Sequence, residues 1–198
     1  MTDQQISTAR AESDLGTKTH LPGDGHMWFM VLGDLFIFGG YFIAYLVFRT
    51  RSPEQFLADQ QHLSITIGVV NTIVLITSSW LVAQGVQAAR AGNRTGAISL
   101  VRGGALCGAL FAAIKVYEWS CEIHAGHTNS SAFFSFYYVL TGVHLFHVGL
   151  GLLILGVVVR ELRNPRRARV SMVEQGATYW HMVDLLWIVI FALLYVMR

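Results

Sequence analysis

Five stretches of this chain are long enough and apolar enough to cross a bilayer, and that limits its fold more than any other feature. A spanning helix needs about 20 mostly apolar residues to match the hydrocarbon core. The stretches run from Met27 to Phe48, Ile65 to Ala88, Ile98 to about Trp119, Phe133 to Val159 and Tyr179 to Val196. No water inside a bilayer satisfies exposed backbone groups, so each stretch must be helical. The sequence predicts an all-α, polytopic membrane protein, a bundle of five transmembrane helices. Charged residues make up 13% of the 198, against about 25% in soluble domains. The third stretch carries Arg102 near one end and Lys115 near the other, where both side chains can snorkel. The links between stretches are short and polar, so no soluble domain is inserted.

The remaining composition excludes several classes. A net charge of +2 and the lack of a long basic block give nucleic acid no footprint. Cys107 and Cys121 have neither metal-site nor redox-motif spacing, and helical spacing holds them too far apart for a disulfide. Residues 1–25 are polar and lack the apolar core and cleavage pattern of a signal peptide. They read as a flexible cytoplasmic arm preceding a membrane domain over residues 26–198. No internal repeat or low-complexity segment appears.

Lys and Arg set the expected direction. With the N-terminus inside, the cytoplasmic face receives Arg10, Lys18, Arg90, Arg94, Arg160, Arg163, Arg166, Arg167 and Arg169. The opposite face receives Arg49, Arg51 and Arg198. The chain is therefore expected N-in and C-out. The cluster from Arg160 to Arg169 serves as a topology signal and headgroup contact. Gly104 and Gly108, four apart, fit the small-xxx-small spacing that lets helices approach closely.

Ionisable groups inside a membrane are costly, so each marks a candidate site. Asp34 lies about two turns into the first stretch. It is either a proton-linked carboxylate or a hydrogen-bonded acid fixing a helix contact. His144 and His147 share a face of the fourth stretch. They can ligate haem or copper, or bond to neighbouring helices and lipid. His181 and Asp184 form a three-apart pair at the start of the fifth stretch, flanked by Tyr179, Trp180 and Trp187 at the level of an interfacial aromatic belt. Lys115 and Glu118 form another possible pair, and Asn71, Thr77, Ser78 and Ser79 add polar contacts on the second stretch. No nucleophile–base set or phosphate loop appears. From the residues alone a small proton-linked transporter using Asp34, His144 and His181 and a membrane cytochrome using the histidines as ligands stay open.

Five motifs in order resemble subunit III of cytochrome c oxidase in its short, five-helix bacterial form. They are GDLFIFGGYF around Asp34, VNTIVLITSSWLVAQGVQAARAGNR from Val70, KVYEW at Glu118, FFSFYYVLTGVHLFHVGLGLL with its two histidines, and EQGATYWHMVDLLWIVIFALLYV with its Tyr-Trp-His-x-Val-Asp pattern. The resemblance covers roughly residues 22 to 198, and the last two motifs are the most specific. The family usually has a glutamate at the position of Asp34, so the acid here is one methylene shorter.

The resemblance implies a subunit that carries no haem or copper, those being held by partner subunits. It implies partners in subunits I and II of a haem-copper respiratory oxidase, lipid held between helices, and support for proton uptake and for the durability of the active site. It makes Asp34, Glu118, His144, His147, His181 and Asp184 structural or proton-linked buried polar groups. It makes Asn71, Trp180, Trp187, Gly104 and Gly108 helix or lipid contacts. The parent complex is expected to be a cytochrome c oxidase or a quinol oxidase. The opening LPGDGHMW also resembles the subunit III-like protein encoded alongside nitric oxide reductase.

Overall fold

The structure, a computed structural model, describes residues 25–126, 131–164 and 170–197, with the side chains of the first helix from Phe29 onward. The arm expected over residues 1–25 lies outside the described residues, except for Gly25, which heads the first helix. Arg166, Arg167, Arg169 and Arg198 also lie outside them.

The described residues are helical throughout their regular structure. Helix α1 spans Gly25–Arg51, α2 Pro53–Gln60, α3 Ile65–Arg90, α4 Arg94–His124, α5 Ala132–Arg163 and α6 Val170–Phe191. A π-helical turn over Ala192–Val196 continues α6. Five of these helices are long and apolar enough to span a membrane. They alternate in direction, so one end of the bundle carries the α1–α3 link and the other the α3–α4 turn. These are called the Pro53 end and the Arg90 end.

The helices outrun the apolar stretches. The fifth span starts at Val170 rather than Tyr179. The polar run before Tyr179 looks like a loop, but Val173, Gly176 and Ala177 in it continue the buried stripe of Trp180, Val183 and Trp187. Tyr179 and Trp180 are therefore core residues, 2% and 0% exposed, and not an interfacial belt. The short α2 falls where the sequence suggests only a polar link. Its Phe56 is buried edge-on against Tyr45 and Phe133, closing the Pro53 end.

Heptad spacing orders the core. On α3 the buried residues are Gly68, Asn71, Leu75, Ser78, Val82, Gly85 and Ala89. On α4 they are Ala97, Val101, Gly104, Gly108, Phe111, Lys115 and Glu118. Both stripes alternate steps of three and four, the pattern that keeps one seam facing a partner along the whole length. Gly104 lets the two backbones close up, since a Cβ there would sit 2.6 Å from Val82 Cγ2 and 3.1 Å from the Ser78 carbonyl. The turn between α3 and α4 follows from its sequence. Gly92 takes φ +76°, and the Asn93 side chain accepts from the Gly96 amide at 2.9 Å to cap α4.

Helix α1 is held differently. Its buried side chains are Val31, Phe38 and Tyr45, a single stripe with seven-residue spacing. Phe29, Leu32, Phe36, Ile37 and Ile43 on its other faces are exposed.

Candidate functional site

The polar residues of the core gather in four places. Nearest the Pro53 end is a closed ionic cluster. Lys115 donates to Glu118 Oε2 at 2.8 Å, to Tyr195 Oη at 2.7 Å and to Tyr137 Oη at 3.2 Å. Tyr195 donates in turn to Glu118 Oε1 at 2.7 Å. Lys115 is 1% exposed and Glu118 2%. Lys115 thus does not snorkel: it uses all three ammonium donors inside the bundle, over the rings of Tyr137, Trp187 and Tyr195. Three helices meet here through α4, α5 and the turn after α6.

The π-helical turn places Tyr195. It closes with the Met197 amide on the Ala192 carbonyl at 2.9 Å. The carbonyls its wider winding leaves are taken from outside: Tyr45 of α1 donates to Leu193 O at 3.1 Å and Gln60 of α2 to Leu194 O at 2.9 Å. Every helix at this end except α3 therefore bonds to the cluster or to the turn supporting it. The sequence reading paired Lys115 with Glu118 but missed Tyr137, Tyr195, Tyr45 and Gln60. The continuing heptad from Gly104 through Phe111 to Glu118 was a signal that both charges face inward.

The two histidines of α5 diverge. His144 is wholly buried, 5.3 Å from the Trp187 ring and 5.7 Å from that of Phe111. His147 turns to α1, edge-on to Phe38, with its Nε2 3.5 Å from Asp34 Oδ1. Asp34 is thus not a lone carboxylate. The His147 Nδ1 lies 2.7 Å from the Val143 carbonyl, which can only accept, so Nδ1 carries a hydrogen. The pair then exists as imidazolium beside carboxylate, or as neutral imidazole accepting from the acid.

The third place lies toward the Arg90 end. His181 Nδ1 is 2.7 Å from Ser79 Oγ and 3.9 Å from Asp184 Oδ2. Asp184 is buried beside His181 and Ser79, and among the described residues neither of its oxygens makes a hydrogen bond of ordinary length. The fourth is less a cluster than two residues, Asn71 and His144, both 0% exposed with side-chain atoms that have no partner among the described residues. Among the described residues, no group of three or more His, Cys, Asp or Glu has the geometry of a metal site.

The tryptophans tie these places to the backbone. Trp180 donates to Ser78 Oγ at 3.0 Å, and Ser78 donates to the Gly104 carbonyl at 2.7 Å. Trp187 donates to Thr72 Oγ1 at 3.1 Å. The Trp180 indole lies between Gly108 and Gly151, where added Cβ atoms would come within 2.5 Å and 2.7 Å of it. Gly104 and Gly108 thus serve different contacts, one between backbones and one beneath an indole. Beside α6, an apolar groove of about 470 Å³ runs between α1 and α5, lined by Met30, Leu153, Val157, Met172, Gln175 and Tyr179.

A family profile described as cytochrome c oxidase subunit III matches residues 16–198. The chain belongs to the cytochrome c oxidase subunit III family. Among its relatives, cytochrome c oxidase subunit 3 of Synechocystis is 34% identical over 97% of this chain and 88% of that protein. Quinol oxidase subunit 3 of Bacillus spizizenii is 27% identical over 86% of this chain and 84% of that protein. In Aeropyrum pernix a haem-copper oxidase subunit I+III is 28% identical over 85% of this chain, which there spans 22% of the relative. This is accordingly a subunit III of a haem-copper oxidase and a multi-pass membrane protein. In this subunit III the family's histidine and acid signatures fall on different helix contacts. The histidines of the fourth span reach α1 and α6, the glutamate of α4 closes the ionic cluster, and the His-Asp pair of α6 reaches α3.

Proposed function

We propose that this subunit III takes no direct part in the redox reaction of the oxidase. It packs on subunits I and II, holds phospholipid, supports proton uptake and helps the assembly endure, while haem and copper reside in the partner chains. The observation that carries this reading is the use made of the intramembrane ionisable groups. Lys115 and Glu118 close on two tyrosines, and Asp34 faces His147. A redox centre needs several ligands aimed at one point, and His144 and His147 turn toward different helices instead. Such groups join helices at depths where water cannot compete for their hydrogen bonds.

The groove between α1, α5 and α6 supports the lipid part. It runs from Met172 and Gln175, near the start of α6, to Tyr179, and its walls suit an acyl chain. For orientation we retain N-in and C-out. Arg90, Arg94, Arg160 and Arg163 lie at the Arg90 end and Arg49 and Arg51 at the other, which supports an inside Arg90 end.

A tagged copy extracted from its own membrane in mild detergent tests the reading. The expected result is recovery of a haem-copper subunit I, with iron and copper absent from this polypeptide once separated. Stoichiometric metal in the isolated chain would overturn it. Proton-linked transport by the isolated chain in liposomes would favour the transporter class instead.

A further inference from the structure

An open groove of about 250 Å³ lies between the end of α3 and the beginning of α6. Unlike the apolar groove on the other side of α6, it has a mixed lining, in which Gln87, Arg90, Glu174, Thr178 and His181 interrupt the apolar Ala83, Val86 and Ala177. Arg90 and Glu174 hold its mouth, with Nε and Oε1 2.8 Å apart. His181 lies seven residues beyond Glu174 along α6, about 10 Å deeper at 1.5 Å per residue. Its side chain is 40% exposed although it sits well inside a membrane-spanning helix.

Behind His181 is Asp184, whose side chain is 8% exposed and whose two oxygens make no hydrogen bond of ordinary length among the described residues, with His181 and Ser79 as polar neighbours. On α6 it stands between Trp180 and Trp187, both fully packed in the core. The polar connection from this carboxylate to the surface runs through Ser79 and through His181, whose Nδ1 lies 3.9 Å from it, and then the groove. Ser79 Oγ, 2.7 Å from the same Nδ1, can either accept from it or donate to it.

We infer that this groove is a hydrated proton vestibule and that Asp184 is a proton store loaded through His181. The ligand is a proton, delivered as hydronium from the aqueous phase at the Arg90 end. This deepens the proton-uptake part of the proposed function and rests on it for its purpose, but loading requires no partner chain.

The transfer balances. Hydronium in the groove gives a proton to Nε2 of a neutral His181 that carries its hydrogen on Nδ1, and water is left. The imidazolium passes its Nδ1 proton to Ser79 Oγ at 2.7 Å while the hydroxyl's own hydrogen passes to Asp184: one N–H and one O–H bond break and two O–H bonds form. Ser79, which had accepted from Nδ1, now donates to the bared nitrogen. One carboxylate and one hydronium have become one carboxylic acid and one water, with no change of oxidation state.

Several other charged and titratable groups on the packed helices are tied elsewhere, whereas the ring nitrogens of His144 have no hydrogen-bond partner among the described residues. Arg90 of α3 is tied to Glu174 of α6. Lys115 of α4 is tied to Glu118. His147 of α5 faces Asp34 of α1, and Tyr179 of α6 donates to the His147 carbonyl at 3.4 Å. His144 lies a turn further on, against Trp187.

Infrared difference spectroscopy on the full chain in phospholipid nanodiscs tests this through the C=O stretch of a protonated carboxyl. The expected result is a band that fades as pH rises, shifts in deuterated buffer, disappears in Asp184→Asn and moves in Asp184→Glu. It persists in Asp34→Asn. In His181→Phe its exchange slows about tenfold or more, because the relay nitrogen is gone. A band that ignores pH, or that exchanges as fast in His181→Phe as in the unaltered chain, overturns the inference. If Asp184→Asn does not fold, Asp184→Glu assigns the band. Loss of subunit I on purification would sink the proposed function yet leave this exchange intact. Absence of exchange in a correctly assembled oxidase would sink the vestibule alone.

Discussion

Glu118→Gln is the sharpest test of the buried ionic cluster. The carboxylate receives Lys115 on one oxygen and Tyr195 on the other, at 2.8 and 2.7 Å. The substitution keeps the shape and removes the charge. Lys115 is then left with neutral oxygens alone, those of the two phenols and the new amide, at a site 1% exposed, where water cannot replace the lost countercharge. Breaking a buried pair from one side costs about 3–5 kcal/mol. For a chain of this size each kcal/mol moves Tm by about 2–4 °C, so the loss is about 6–20 °C. Lys115→Met should cost a similar amount by stranding the carboxylate. The double variant should cost little more than either single change, a coupling of about 3 kcal/mol, because neither charge then remains uncompensated. Thermal unfolding of the purified subunit in one detergent, read for all four members of the cycle, measures this. Additive losses, or a Glu118→Gln loss under about 1 kcal/mol, would refute the closed-cluster account.

Four further outcomes follow from the packing. Gly108→Ala should lower stability by about 1–3 kcal/mol, because Trp180 is held between Gly108 and Gly151 and cannot retreat. Gly156→Ala, with nothing within 4 Å of the new Cβ, should instead be neutral or stabilising by up to about 1 kcal/mol; the same unfolding assay reads both. Asp34→Asn should barely alter assembly or the lifetime of turnover, since the amide can donate to His147 Nε2 as the acid form does, whereas Asp34→Leu should shorten that lifetime. Gln60→Leu should cost about 1–3 kcal/mol by stranding the Leu194 carbonyl, and hydrogen exchange should rise locally at the Ala192–Val196 turn.

The number and type of the spans could be read from the sequence because hydrocarbon thickness imposes a length that soluble folds do not. Helix ends could not, because a helix may continue past the bilayer on polar residues. Val170 to Thr178 is such a case, and moving the start of α6 by nine residues carried Tyr179 and Trp180 from an assumed interface into the core. Sequence spacing also brought out the pairs within one helix, Lys115 with Glu118 and His181 with Asp184, since a separation of three places both on one face. Partners on other helices were beyond it. Asp34 and His147 are 113 positions apart, and their pairing depends on the rotation of α1 about its narrow stripe. Nor does periodicity announce a π turn: Ala192–Val196 reads as ordinary helix, yet its wider winding lets Tyr45 and Gln60 reach the carbonyls of Leu193 and Leu194.

The unequal burial of the spans suggests how the chain divides its labour. The last span is 61% buried over its most apolar window and the first only 17%. Inside a bilayer, burial of apolar surface drives little association, since lipid tails are as apolar as leucine. Close packing and hydrogen bonds must hold α1, and along its length these are the Val31–Phe38–Tyr45 stripe, the Asp34–His147 contact and the Tyr45 bond to Leu193. Each of these polar contacts lands on α5 or on the turn after α6, so α1 is fastened at two depths to a preformed bundle of α3 to α6. Removing either fastening should loosen α1 while leaving the Trp180 and Lys115 contacts in place. Tyr45→Phe with Asp34→Leu should therefore raise hydrogen exchange across α1 well before it rises in α4. Simultaneous loosening of both helices would mean that α1 is integral to the bundle's cooperativity instead.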